Sequence, residues 1–397
     1  MMRMSAPERE FPFAVEEYRD RARRVRDEMA RRGVAVLYVM SPPNINYLTG
    51  FESIWYPLRA PVGVALAVDP EELVFLDYER HLHLVSQTAF FDDAVWFTYE
   101  TAVDAVADAF AARGWTKGTV GIERWTVSPG APLVEAVAEQ LRARGATVVD
   151  GDWIVDRVRL VKSPAEIACV REAARIVDAA FLEVQEYIRP GRTELQIAAR
   201  LNAIMADHGG EEPAIRTMVS AGPLVWCRTH GASGRRPVER GDVMYVDACG
   251  VFKRYHADLC RTFSIGQDHP KARAILEYTR DSVVAVQWAV KPGDPLDVAQ
   301  RAAEEHVFAR YSRESVWWVG GYALGVALPP NWVGHTYLSN DAWEPFTWEP
   351  GYVTNYENIL FDRDEGFTAS YMETLLMTED GIEVLSQVPR DLIVVEC

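Results

Sequence analysis

Cysteine is scarce in this chain and is not arranged for pairing: Cys169, Cys227, Cys249, Cys260 and Cys397 make an odd number with no Cys-x-x-Cys spacing. A disulfide framework and a zinc knuckle are therefore not expected, and the thiols read as reduced residues of a cytoplasmic protein. Long apolar runs are missing too. None approaches the roughly 20 residues that cross a bilayer, and Met1 to Arg32, dense in Arg and Glu, lacks the apolar core of a signal peptide. Positive charge is in deficit: 41 Lys and Arg stand against 58 Asp and Glu, a net charge of −17 over 397 residues. A field of that sign repels nucleic acid and anionic membrane. It accommodates a cationic or zwitterionic small molecule more easily. Internal repeats and low-complexity tracts are also absent.

What is present is ordinary globular composition, 49% apolar and 25% charged, at a length that suggests two domains. Residues 15–32 read as a polar helix leading into an apolar strand, Val34–Met40, broken by Pro42-Pro43-Asn44. Val62–Val68 and Glu72–Leu76 read as a hairpin around Asp69-Pro70-Glu71. Helices at 101–113 and 132–143 alternate with strands at 119–122 and 147–149, so residues 1–158 are expected to form an α/β domain. Ser163-Pro164-Ala165-Glu166 then has the N-cap, the proline and the glutamate of a capping box. Behind it Ile167, Val170, Ala174, Val177, Phe181 and Val184 recur by threes and fours, the mark of an amphipathic helix. Thr193 to Gln196 opens another. Helices at 272–290 and 297–310 among strands near 243–249, 255–264, 352–360 and 371–378 predict an α+β domain over residues 159–397.

The chemistry lies in that second domain. Asp247 ends the apolar run Val243–Val246, and Asp258 follows in Tyr255-His256-Ala257-Asp258, a spacing that suits a hairpin aiming both carboxylates at one point. Glu357 and Glu373 lie in two later strands among apolar neighbours. Burying four carboxylates requires cations or shared protons. Hard oxygen ligands at this density favour manganese, iron, cobalt or magnesium over structural zinc.

These acids, in this order, resemble those of the creatinase/aminopeptidase P/prolidase superfamily of pita-bread hydrolases. Asn44-Ile45-Asn46-Tyr47-Leu48-Thr49-Gly50 is similar to its N-terminal domain signature, Lys162-Ser163-Pro164-Ala165-Glu166-Ile167 to its interdomain helix, and Gly241-Asp242 through Arg261-Thr262-Phe263 to its central hairpin. The resemblance implies a creatinase-type N-terminal α/β domain, a pita-bread catalytic domain and a homodimer. Its dinuclear members use Asp, Asp, His, Glu and Glu, which implies Asp247, Asp258, Glu357 and Glu373 as metal ligands.

The pattern breaks at the histidine. Where the family has Gly-His-x-x-Gly, this chain has Gly321-Tyr322-Ala323-Leu324-Gly325, and Pro329-Pro330 replaces a later substrate-side histidine. A phenol with an ordinary pKa near 10 is a poor substitute ligand. The stretch from Gly321-Tyr322 to Pro329-Pro330-Asn331-Trp332, with Arg254-Tyr255-His256, resembles instead the ectoine hydrolases, a creatinase-like branch that opens a cyclic amidine. In that branch a carboxylate matching Asp247 attacks the substrate without a metal pair. The expected cofactor is accordingly either none, or one to two divalent ions of manganese, iron or cobalt at a site without its usual histidine. His230 precedes Asp247 by the interval of the superfamily's substrate-side histidine, which implies a proton carrier as in the creatinase-like members or an oxyanion or amide contact as in the peptidases; His256 reads as a residue that supports the site from behind or simply packs. Trp55 and Arg59 resemble the creatinase loop that holds a substrate carboxylate, with Arg59 offering a bidentate fork. Tyr322 and Trp332 are candidate substrate contacts, and Trp317, Trp318 and Trp348 suit either a core or a cationic cage.

Two functions follow. One is hydrolysis of a C–N bond in a small ectoine-, creatine- or amidine-like compound, with His230, Asp247, Glu357 and Glu373 catalytic. The other is a metal-dependent Xaa-Pro aminopeptidase or prolidase. A lyase and a non-catalytic binding protein on the same fold remain further alternatives.

Overall fold

The computed structural model describes residues 11–126, 128–332, 336–339 and 345–396; Cys397 and the first ten residues lie outside them. The chain divides between Arg159 and Leu160 into two compact units. Cys227, Cys249 and Cys260 are unpaired thiols, and among the described residues no helix is long and apolar enough to cross a membrane.

The first unit runs α1 (Val15–Arg31), β1 (Val36–Val39), α2 (Pro42–Thr49), β2 (Gly63–Ala67), β3 (Glu72–Tyr78), α3 (Leu82–Thr88), β4 (Asp93–Phe97), α4 (Ala102–Ala112), β5 (Thr119–Ile122), α5 (Ala131–Ala143), β6 (Thr147–Asp150) and α6 (Ile154–Arg159). Its six strands form one mixed sheet in the order β4-β3-β2-β1-β5-β6. β2 and β3 pair antiparallel as the expected hairpin. The Pro42-Pro43-Asn44 tract does more than break a strand: it opens α2, where proline in the first turn sacrifices no hydrogen bond. Buried Glu123 accepts the Met40 and Ser41 amides at 2.8 Å each and the Asn44 side chain at 2.6 Å, satisfying donors at that helix start.

The second unit opens with α7 (Pro164–Glu183) and α8 (Glu194–Asp207), each begun by the expected capping box. β7 (Met218–Ala221), β8 (Val243–Phe252) and β9 (Tyr255–Ile265) follow. Next come α9 (Pro270–Thr279), α10 (Ser282–Ala289), α11 (Asp297–Phe308) and β10 (Val316–Gly320), then β11 (Val353–Asp362), β12 (Phe367–Thr378), β13 (Gly381–Val384) and β14 (Ile393–Val395). The helix expected over 272–290 is two. The Thr279 carbonyl accepts the Ser282 and Tyr371 hydroxyls at 2.6 and 2.7 Å, which draws it out of the helical ladder. The main sheet path is β10-β11-β12-β9-β8-β7, antiparallel throughout.

Alternation along these strands gives the sheet two unlike faces. On one, Val246 and Leu259 pack with Phe181 and Leu201 of α7 and α8, and Tyr356, Asn358 and Tyr371 gather on the Ser282 hydroxyl of α10. The other face carries Asp247, Asp258 and Glu357. Glu166 joins helix to sheet: one oxygen accepts the Ser163 amide at 2.8 Å, and the other accepts the Tyr255 hydroxyl of β9 at 2.8 Å.

The packing of α7 on β8 depends on Gly250. A Cβ there would lie 2.0 Å from the Ala173 carbonyl oxygen, and both groups are backbone-fixed. Gly250→Ala is therefore expected to destabilise the protein by about 3 kcal/mol, the upper end of the usual overpacking cost. A fall in the urea midpoint relative to wild type is the check.

Candidate active site

Strand register places the site residues. Asp247 of β8 lies opposite Cys260 of β9, and Cys249 opposite Asp258. Cys260 lies opposite Met372 of β12, and Met372 opposite Glu357 of β11. Directly opposed residues share a face, so Asp247, Asp258, Glu357, Cys249, Cys260 and Met372 all belong to one side of the sheet. Glu373 belongs to the other, opposite Tyr356.

Asp247, Asp258 and Glu357 are 6%, 2% and 5% exposed, and their partners are neutral. The Tyr245 hydroxyl donates to Asp247 at 3.0 Å, and the Cys249 thiol lies 3.3 Å from Asp258. The Asn355 amide donates to Asp258 at 3.1 Å and to Glu357 at 2.7 Å. With no cation among these contacts, burial governs their ionisation. Burial, then repulsion from Asp258 and Glu357, raises Asp247 well above the usual carboxylate range. Burial also raises Asp258, against the pull of Asn355 and Cys249. Glu357 is pushed up to about 8 by burial and by Asp258.

Tyr322 reaches this cluster because its segment approaches β11 closely. A Cβ on Gly321 would stand 2.1 Å from the Asn355 carbonyl oxygen, so only glycine allows the approach. The Tyr322 amide donates to the Asn355 side-chain oxygen at 2.8 Å, which orients the amide that bridges Asp258 and Glu357. The Tyr322 side chain hydrogen-bonds Glu357 and accepts the Trp332 indole N–H at 3.3 Å. Burial, with three acids nearby, holds the phenol well above its ordinary value; it stays a neutral donor. Behind Trp332 stands His256, with ring centroids 5.3 Å apart. Its Nδ1 is 2.9 Å from the Arg254 carbonyl and its Nε2 accepts the Ala214 amide at 3.0 Å. Burial pulls its pKa down to about 3, so it is a neutral packing residue, as expected.

Residues 168–379 match the metallopeptidase family M24, and residues 21–161 match the creatinase/prolidase N-terminal domain. The chain belongs to metallopeptidase family M24. An ectoine hydrolase of Halomonas elongata is 27% identical over 96% of this chain and 98% of its own. A Xaa-Pro dipeptidase of Pyrococcus furiosus is 26% identical over 69% of this chain and 75% of its own. Among solved structures, a Xaa-Pro dipeptidase from Bacillus anthracis superposes with a TM-score of 0.80 at 21% identity, covering 95% of this chain and 99% of its own. Both domains of the expected creatinase-type, pita-bread architecture are therefore present.

Within that family fold, the metal-ligand set read from the sequence does not assemble. Glu373, expected as a ligand and catalytic acid, faces away from the other three carboxylates. One of its oxygens accepts from Arg261 at 2.7 Å and from Arg390 at 2.8 Å. The cation that its burial demands is supplied by the protein itself. Tyr322 offers a protonated phenol, and Met372 occupies the place in the row beside Glu357. Among the described residues no group of three or more His, Cys, Asp or Glu side chains is arranged to hold a metal ion. These residues do not fit a dinuclear centre.

His230 is exposed on the loop after Cys227, edge-on to Trp317 with centroids 4.8 Å apart. No described contact joins it to the carboxylates. Trp55 and Arg59 lie exposed in the first unit, where Trp55 meets His81 edge-on at 6.1 Å. Trp348 is a core residue packed on Tyr352. Sequence reasoning passed over Asn355, Tyr245, Cys249, Cys260 and Met372. Asn355 was findable, since it stands two positions before Glu357 and so shares its face.

Two outcomes follow. A raised acid binds more protons folded than unfolded, so stability falls as pH rises from about 4.5 to about 8 for Glu357. The fall is about 1 kcal/mol per pH unit while that group alone titrates, and Asp247 adds to it. Thermal melts should show Tm declining across this window, with a shallower slope in Glu357→Gln. Glu373→Leu should cost about 3–5 kcal/mol, because it leaves the Arg261 guanidinium buried and deprived of its carboxylate; chemical denaturation at pH 7 reads this.

Proposed function

We propose that this protein hydrolyses a C–N bond in a small organic cation or zwitterion of the amidine class, ectoine being the first compound to try. The carrying observation is the company kept by Asp247, Asp258 and Glu357: three buried carboxylates whose described partners are two phenols, a thiol, an amide and, for Asp247 and Asp258, each other. Such a group either keeps its protons or ionises for a cation brought from outside. A bound amidinium would supply that charge.

In this reading Glu357 and Asp258 hold the cationic nitrogen. Asp247, released from its proton by the incoming charge, is the group beside the amidine carbon. It acts there either by taking a proton from water as the water's oxygen adds to that carbon, or by attacking the carbon itself. In the first course Asp247 passes that proton to the departing nitrogen as the C–N bond breaks, and the new hydroxyl, becoming the amide carbonyl, gives its proton to the Glu357 carboxylate. In the second, Glu357 carries a proton from the retained nitrogen to the departing one as the C–N bond breaks, and water then cleaves the bond to Asp247, giving the amide and freeing the carboxyl. Tyr322 steadies the Glu357 carboxylate through its hydroxyl. Glu373, neutralised by Arg261 and Arg390, has no part in the chemistry, and no described contact brings His230 into it.

The resemblance over nearly the full length to a protein named ectoine hydrolase supports this reading. A metal-dependent Xaa-Pro peptidase is the second reading, favoured by the relatives and neighbours of that name and by the retention of Asp247, Asp258 and Glu357.

One comparison separates them. The purified protein is assayed on ectoine and creatine and on Xaa-Pro dipeptides, with elemental analysis, before and after chelation. Chelator-resistant turnover of the small compounds is expected, with Asp247→Asn lowering kcat by about 10²–10⁴-fold. Chelator-sensitive dipeptide cleavage with bound manganese, iron or cobalt would establish the peptidase instead.

A further inference from the structure

The register of the second sheet carries a further inference, which rests on the hydrolase reading and deepens it. One continuous row crosses six strands: Met218, Asp247, Cys260, Met372, Glu357 and Gly320. Two carboxylates stand in it, and the positions between them are both sulfur. Cys260 and Met372 are 0% and 3% exposed, so they form part of the packed floor rather than its margin. Beside this row Asp258 and Glu357 are already linked by the Asn355 amide.

We propose that Met372 decides which kind of cation this site accepts. A divalent manganese or magnesium ion needs several oxygen ligands converging on one point. Between Asp247 and Glu357 it would meet a thioether and a thiol, and between Asp258 and Glu357 an N–H donor that cannot coordinate. An organic cation makes the opposite demand. Its N–H groups want carboxylates at the rim, and its flat apolar face wants a polarisable, dehydrated surface, which Met372 and Cys260 provide. The thioether thus rejects the hydrated ion and seats the amidine carbon beside Asp247.

The test is calorimetric titration of manganese chloride into the full chain and into Met372→Glu and Met372→Gln, which match each other in shape and differ in charge. Wild type and Met372→Gln are expected to show no saturable binding up to millimolar manganese. Met372→Glu is expected to bind the ion at least about a hundred-fold more tightly, since it supplies a hard ligand at the centre of the row. Thermal melts with and without manganese cover the case in which a fourth buried acid prevents folding. Manganese-dependent folding of Met372→Glu supports the proposal. Failure to fold at saturating manganese, while Met372→Gln folds, overturns it. So does wild type binding manganese as tightly as Met372→Glu, or Met372→Glu binding no better than Met372→Gln. If no organic cation is turned over but manganese binding is confined to Met372→Glu, the hydrolase reading fails and the metal selectivity stands.

Discussion

A carboxylate taken out of water must find a countercharge or keep its proton, and the pleat of one antiparallel sheet decides which course each acid here follows. Glu373 and Arg261 point to one side, where Arg390 joins them and the charge is settled within the protein. One residue along, the pleat turns Met372 to the other side, among Asp247, Asp258 and Glu357. Those three find only neutral donors. The difference between a structural ion pair and a cluster of acids without a countercharge is thus one position in β12.

The cluster is held by backbone as much as by side chains. Gly321 lets its segment close on the Asn355 carbonyl, and the Tyr322 amide then fixes the rotation of the Asn355 side chain. That amide faces two acids with its donors, so Asp258 and Glu357 are held apart at a set spacing even when nothing is bound. Because Tyr322 also reaches Glu357 and Trp332, loss of the family's histidine at this position leaves no gap. A hydrogen-bonding wall of Tyr322 and Trp332 stands there.

The fold was largely legible because its signals are local. Capping boxes at Ser163 and Thr193, heptad-like stepping after Ile167 and the apolar run before Asp247 each announce an element without reference to the rest of the chain. What escaped was local too, but ambiguous: Pro42-Pro43 serves equally to end a strand and to start a helix, and the break after Thr279 depends on hydroxyls from elsewhere. The site was half legible. Asp247, Asp258 and Glu357 carry chemistry that only carboxylates supply. Glu373 misled because each strand fixes its own alternation, while the face that alternation is assigned to depends on pairing with β9 and β11. No single strand contains that information. Met372 was invisible for the same reason, since an apolar residue in a strand gives no reason to look at it.

Glu166 shows how a start signal in sequence becomes a mechanical part. With one oxygen it closes the first turn of α7, and with the other it holds the Tyr255 hydroxyl at the base of β9, three residues before Asp258. The carboxylate works as a gauge block between the helix and the strand. Any axial slip or roll of α7 must either stretch this link or carry β9 along with it. The position of Asp258 is therefore indexed to the first turn of a helix with no described side chain among the three carboxylates, so a change in that turn is felt at the cluster as a shift in alignment.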